Sequence, residues 1–140
     1  MKCRMCGKEI EAKGSVVKCI HCGFEQIVPK EAFFFDFEQA DACFRKGELE
    51  KASGKYEVIL QKDGKDSLAH YMLALCRHGV EYVKDPKEMV FKPTLARLLY
   101  SLLKDDEDYK IALENSNDEQ MEYFQKYGGE ITGIERNPAT

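Results

Sequence analysis

The chain has 140 residues, 44% of them apolar and 33% charged, with a formal net charge of −4. That length suits one medium domain, or a small domain beside a compact one, and the apolar fraction excludes long disorder. No apolar run is long enough for a membrane-spanning helix, and the N-terminus lacks a signal-peptide pattern. We therefore expect a cytoplasmic protein without a membrane partner.

Charge is distributed unevenly along the chain. Residues 1–30 carry six basic and three acidic side chains, whereas residues 31–140 carry 15 and 22. If four thiolates bind one divalent cation, the net charge of residues 1–30 becomes about +1. A free-standing nucleic-acid binder normally has a denser basic patch.

Four of the six cysteines form two Cys-x-x-Cys pairs, each followed by glycine. The first motif consists of Cys3 and Cys6 and the second of Cys19 and Cys22, and twelve residues separate the two motifs. Such a turn directs two sulfurs at one cation, and the glycine supplies the positive φ that closes it. The pattern predicts one zinc ion bound by all four cysteines. Because protein fills every ligand position, this site is structural and not catalytic.

Two alternatives to this four-sulfur site are a redox dithiol and a histidine ligand. A redox dithiol normally lies in a thioredoxin-like βαβ context, which the sequence lacks. His21 lies inside the second pair, but the sulfur set is complete without it. Since so short a segment cannot fold on hydrophobic burial alone, metal binding is expected to supply most of its folding free energy, on the order of 10 kcal/mol.

Short strands are predicted around the cysteine pairs. Residues 8–12 and 16–18 are expected to form a hairpin between the two pairs, and residues 24–28 a third strand before Pro29. This is the plan of a zinc ribbon over residues 1–29. The predicted fold is therefore mainly α, with a small β zinc ribbon at the N-terminus.

Residues 30–128 are predicted to form an antiparallel helical domain. The apolar periodicity indicates helices over 37–46, 48–61 and 67–78, the first opened by an Asp36–Gln39 capping box. The three phenylalanines at 33–35 either dock the ribbon onto the helices or form an exposed partner site, and docking is favoured.

The second half of this domain has a different pattern. Residues 79–91 alternate around Asp85–Pro86 and predict a short β-hairpin, after which Thr94 is expected to cap a leucine-rich helix. Four acids at 105–108 suit the start of another helix better than a catalytic or metal site. Asn117 and Gln120 predict a capping box for a last helix that ends at Gly128–Gly129. Residues 129–140 are expected to form a flexible tail.

The stretch Lys46-Gly-Glu-Leu-Glu-Lys-Ala52, followed by Tyr56 and Ile59-Leu60, resembles the centre of a tetratricopeptide repeat. In that repeat a glycine-containing turn separates two helices, and a small alanine lets them cross closely. The helical segment has room for only about one and a half such repeats. The segments that follow must therefore cover the apolar face that a further repeat would normally bury.

The order of these parts resembles the N-terminal half of a group of Firmicute proteins with a four-cysteine ribbon, a tetratricopeptide-like domain and a C-terminal TIR domain. The similar stretches are Gly79–Pro86, Pro93-Thr94, Asp106–Glu114 and Glu119-Gln120. The TIR domain and its NAD-hydrolysing residues would follow residue 140. The resemblance therefore implies an adaptor or sensor region that binds a protein partner or drives self-assembly.

The main alternative function is nucleic-acid or transcription-related binding by the ribbon, through Lys2, Arg4, Lys8, Lys13 and Lys18. No catalytic residue is predicted, because no phosphate loop and no nucleophile–histidine motif is recognisable. His70 and His78 are expected at the surface or in a groove, and Cys43 and Cys76 as small core residues.

Overall fold

The computed structural model describes residues 1–138, which are mostly helical with two small antiparallel hairpins. In chain order the elements are β1 (Val16–Lys18), β2 (Glu25–Ile27), α1 (Phe34–Arg45), α2 (Leu49–Lys62), α3 (Ser67–Arg77), β3 (Val80–Lys84), β4 (Phe91–Leu95), α4 (Glu107–Glu114) and α5 (Asp118–Arg136). No helix among these residues combines the length and apolar composition that crossing a bilayer requires.

Each cysteine pair lies at the turn of its own hairpin. In the first, Lys2 forms an isolated bridge with Glu9; in the second, β1 pairs with β2. The predicted hairpin between residues 8–12 and 16–18 is therefore wrong, because each arm pairs across its own cysteine turn. The predicted strands at 16–18 and within 24–28 are confirmed.

The first three helices agree with the predicted helices to within three residues. Consecutive helices pack against each other from α1 to α4. Asp36 does not cap α1, which begins two residues earlier; its carboxylate lies in the first turn and accepts a hydrogen bond from Lys62 at 3.0 Å. Of the three phenylalanines, Phe35 is exposed and Phe33 packs against the core.

The hairpin of β3 and β4 is confirmed, but the helix predicted after Thr94 is absent from the described chain. Thr94 lies in β4 opposite Glu81, and its hydroxyl donates to the Glu81 carbonyl at 3.0 Å. Arg97 then donates to the last carbonyls of α3, those of Cys76 and Arg77. These long-range bonds hold residues 96–102 in an irregular conformation despite their helical leucine spacing.

Helix α4 begins within the four acids at 105–108 and α5 at the predicted capping box, as expected. Asp106 accepts from the N–H groups of Asp108 and Tyr109, and Asn117 forms a complete capping box with Gln120. The predicted end at Gly128–Gly129 is wrong, because α5 continues to Arg136. The expected tail is thus helical as far as residue 136, with Ile131 fully buried. Residues 139 and 140 of that tail lie outside the described residues.

Gly128 is required by the packing of α4 on α5. A Cβ there would lie 2.5 Å from a ring carbon of Tyr109, whereas a Cβ on Gly129 would meet nothing within 4 Å. We predict that Gly128→Ala lowers the free energy of unfolding by about 1–3 kcal/mol through overpacking. Gly129→Ala should raise it by up to about 1 kcal/mol, because alanine is the better helix former. Urea denaturation of both variants tests this pair, and equal effects of the same sign would contradict it.

Candidate metal centre

The four paired cysteines converge on one point. Their Sγ atoms all lie within 4.8 Å of one another, and none forms a disulfide. The Sγ atoms of Cys3 and Cys22 are 3.6 Å apart, and those of Cys6 and Cys19 are 3.7 Å apart. Four sulfurs at about 2.3 Å from a tetrahedral zinc ion would be about 3.8 Å apart. The cluster therefore fits one metal ion bound by four sulfurs.

The two cysteine turns have nearly the same backbone geometry. Gly7 and Gly23 have φ of 75° and 78°, and their N–H groups donate to the carbonyls of Cys3 and Cys19 at 3.0 and 2.8 Å. Only glycine adopts this conformation without strain. In each turn the amide two residues after the first cysteine donates to its sulfur, at 3.4 Å for Cys3 and 3.3 Å for Cys19. Such donors stabilise thiolates.

Gln26 is a supporting residue that the sequence reasoning missed. Its fully buried amide donates to Cys3 Sγ and to the Phe24 carbonyl, both at 3.2 Å, and its Oε1 accepts from the N–H of Arg4 at 2.9 Å. The alternation of β2 could have placed Gln26 on one face, but no local signal relates it to a sulfur 23 residues earlier.

The thiols have unequal acidities. Burial disfavours the Cys3 thiolate, but hydrogen bonds from the backbone of Cys6 and from the Gln26 amide outweigh it and lower the pKa of Cys3 to about 7. Burial and the neighbouring Cys3 raise the pKa of Cys22. A metal ion must displace the remaining protons, so its binding should strengthen as pH rises.

Arg4 ties the first cysteine turn to the helices. Its Nε lies 3.0 Å from Asp41 Oδ1 in α1, and both side chains are about 95% buried. Asp41 also accepts from the hydroxyl of Tyr56 in α2, at 2.5 Å. Although burial disfavours the charged guanidinium, Asp41 holds the pKa of Arg4 above its usual value. Arg4 is therefore part of the core and cannot contact phosphates, unlike the exposed Lys8, Lys13 and Lys18.

The remaining candidate residues lie away from the cluster. His21 is exposed between the second pair of cysteines, and only its backbone N–H contacts a sulfur. Cys76 is buried in α3 and Cys43 is half-buried in α1. Neither belongs to the sulfur cluster.

The expectation that His70 and His78 are surface or groove residues is wrong. His78 is 1% exposed, and its two ring nitrogens lie 2.7 Å from Glu135 in α5 and 3.0 Å from Asp106. Arg77 Nη1 donates to both carboxylate oxygens of the same Asp106, at 2.9 and 2.8 Å, and its Nη2 donates to Asp108 at 2.7 Å. This histidine–carboxylate cluster of Arg77, His78, Asp106 and Glu135 joins α3 to α4 and α5. Asp106 and Glu135 therefore each contact two groups of the chain itself.

The histidine–carboxylate cluster predicts a pH dependence of stability. Burial opposes a charge on the imidazole, but hydrogen bonds to Asp106 and Glu135 raise the pKa of His78 above its ordinary value. Its stabilising contribution is therefore complete below about pH 6.5, the ordinary histidine pKa, and is lost as pH rises through the raised value. Denaturation midpoints of the wild type should fall relative to those of His78→Gln over that range. A constant difference would contradict this prediction.

Fold and site together define a mainly helical chain with an N-terminal cluster of four cysteines that fits one metal ion. Searches of protein-family models, of curated proteins and of solved structures found no match to this chain. The resemblance to the ribbon-containing TIR proteins therefore stays a prediction carried by the residues quoted above.

Proposed function

We propose that the protein is a non-catalytic, zinc-binding interaction module in which one structural zinc ion holds residues 1–29 folded against a helical domain. The observation that carries this proposal is the closed set of four sulfurs. Four thiolates favour zinc over magnesium or calcium, and a site with no open position has no place for a substrate or an activated water. The resemblance to tetratricopeptide and TIR-associated proteins supports a role in protein contact or assembly.

Gln26 provides a test of the metal assignment. Gln26→Leu removes the amide that donates to Cys3 Sγ but keeps a side chain of similar size in the buried position. We expect zinc affinity to fall about 10–100-fold, as is common when a residue supporting a metal ligand is lost. Competition with a chromophoric chelator measures the change, and Gln61→Leu on exposed α2 surface is the matched control. Unchanged affinity in Gln26→Leu would argue against zinc bound to Cys3.

The flap, defined as residues 80–104, offers the most apolar surface. It carries six of the nine exposed large apolar side chains in the described chain: Val83, Met89, Val90, Leu98, Leu99 and Tyr100. At its tip Asp85 accepts hydrogen bonds from the N–H groups of Lys87 and Glu88, and Met89 has a positive φ of 57°. Clustered exposed apolar side chains are typical of contact surfaces.

Charge indicates what the flap contacts. It has five basic and three acidic residues in a chain that is otherwise acidic. Two of those acids pair with Lys92. By contrast, α4 and α5 expose three cations, Lys110, Lys126 and Arg136, but twice as many carboxylates that form no ion pair within residues 1–138: Glu107, Glu114, Asp118, Glu119, Glu122 and Glu130. We propose that the flap packs against the acidic α4–α5 face of a second copy.

Sedimentation velocity of the intact chain tests this assembly. At low salt the apparent molecular mass should rise with protein concentration. In about 0.5 M salt it should fall back toward that of a monomer, because screening weakens contacts between exposed charges. Leu98→Asp combined with Leu99→Asp should abolish the rise, while the exposed control Val58→Asp on α2 should leave it unchanged. A strict monomer at every concentration and salt would refute self-assembly.

A further inference from the structure

A small cavity lies between the cysteine segment and the helices. Its volume is about 10 Å³, and its walls include Arg4 and Phe24 from the cysteine segment, Tyr71 from α3, Tyr82 from β3 and Tyr123 from α5. This is about the smallest space that holds one water molecule, and a cavity retains water when polar groups line it.

Two residues that line the cavity hold buried polar atoms without a hydrogen-bond partner among residues 1–138: Arg4, through Nε and Nη2, and Tyr71, through its hydroxyl. Arg4 Nε lies 3.0 Å from the Asp41 carboxylate, so Nη2 and the Tyr71 hydroxyl are the two atoms without a polar partner. Both residues are at least 97% buried. Native structures rarely leave such groups unpaired, because an unsatisfied buried donor keeps the full cost of its desolvation. Two such groups on residues that line the same cavity therefore indicate a shared partner.

We propose that a single buried water molecule occupies this cavity and bridges Arg4 to Tyr71. The water oxygen accepts from Arg4 Nη2, and the water and the Tyr71 hydroxyl form a second hydrogen bond with each other. An anion is the wrong ligand for two reasons. The cavity admits only one small molecule, and the positive charge of Arg4 is already compensated by the buried Asp41.

The bridge adds one more polar contact to the several that already join the cysteine segment to the helices. Arg4 contacts α1 through Asp41, and Tyr123 of α5 donates its hydroxyl to the Glu25 carbonyl at 2.9 Å. The water extends the Arg4 contact to α3. Because Arg4 lies between two of the cysteines, the water links the metal centre to the middle of the helical core. This inference rests on the cavity and its unpaired donors and not on the identity of the metal.

The direction in which one substitution shifts the urea midpoint tests the proposal. If water bridges the two groups, Tyr71→Phe removes a satisfied hydroxyl, and the urea midpoint of the intact chain should fall. If the cavity is dry, the same change deletes an unsatisfied hydroxyl, and the midpoint should stay constant or rise. Tyr123→Phe is the control, because its hydroxyl has a protein partner and its loss should lower the midpoint in either case.

A crystal structure of the intact chain gives the direct observation. Solvent density within hydrogen-bond distance of both Arg4 Nη2 and the Tyr71 hydroxyl supports the bridge. An empty cavity, or protein partners for both atoms, overturns it. Failure of the zinc assignment would appear separately, as a chain without bound metal, so the two results are distinguishable.

Discussion

Cys19→Ser should abolish stoichiometric zinc binding and unfold residues 1–29. Cys19 is 2% exposed, and its Sγ lies 3.7 Å from that of Cys6. The segment is too short for hydrophobic burial alone to fold its two small hairpins, so the metal must supply most of its folding free energy, about 10–16 kcal/mol in small zinc-binding peptides. Serine is a poor zinc ligand, and no other cysteine in the described chain lies near enough to replace Cys19.

The loss should extend beyond the cysteine segment. When residues 1–29 unfold, Asp41 loses Arg4 while its own side chain remains about 95% buried in the helical domain. An unpaired buried carboxylate is costly, so the helices should also become less stable. Hydrogen exchange should show rapid exchange at the N–H groups of Gly7 and Gly23 and reduced protection in α1.

Cys43→Ser is the matched control for this experiment. It makes the same chemical change at a half-buried cysteine outside the cluster. This variant should retain one zinc ion per chain and the exchange protection of residues 1–29. Equal metal loss in both variants, or full protection in Cys19→Ser, would contradict the role assigned to the cluster.

Asp106→Ala should lower the free energy of unfolding by about 3–5 kcal/mol, the usual cost of removing one partner from a buried charge pair. Asp106 pairs with Arg77 and His78 and caps α4. Burial disfavours its charge, but His78 and Arg77 hold the pKa of Asp106 well below its usual range. In Asp106→Ala, His78 keeps its contact with Glu135 but loses the carboxylate beside its other ring nitrogen.

Two further variants distinguish the stability that comes from the charge of Asp106 from the stability that comes from its capping of α4. Asp106→Ser can still cap α4 and should recover only about 1 kcal/mol of the loss, the usual value of an N-cap. Asp105→Ala removes the exposed neighbouring acid and should leave stability almost unchanged. Urea denaturation at pH 6 measures all three. If serine restored nearly full stability, the cap and not the histidine–carboxylate cluster would account for the effect.

The sequence predicted the features that depend on neighbouring residues. The spacing of Cys3, Cys6, Cys19 and Cys22 and the glycines after each pair determine local turns, so their convergence could be predicted. The caps at Asn117 and the acids before α4 are local for the same reason. Helix positions followed from apolar periodicity.

The features that were missed depend on contacts distant in sequence. The leucines after Thr94 have helical spacing, but pairing of β4 with β3 and the bonds from Arg97 to α3 override it. His78 directly follows the last residue of α3, and its partners come from residues 28 and 57 positions later. Likewise, α5 continues through Gly128, where Tyr109 of α4 leaves no room for a side chain.

The most direct test of the central claim is the metal content of the intact, reduced protein together with X-ray absorption at the zinc edge. We expect one zinc ion per chain, surrounded by four sulfur atoms at about 2.3 Å. A chain that folds without a tightly held divalent ion, or a zinc ion bound through nitrogen or oxygen, would contradict the claim that Cys3, Cys6, Cys19 and Cys22 form its binding site.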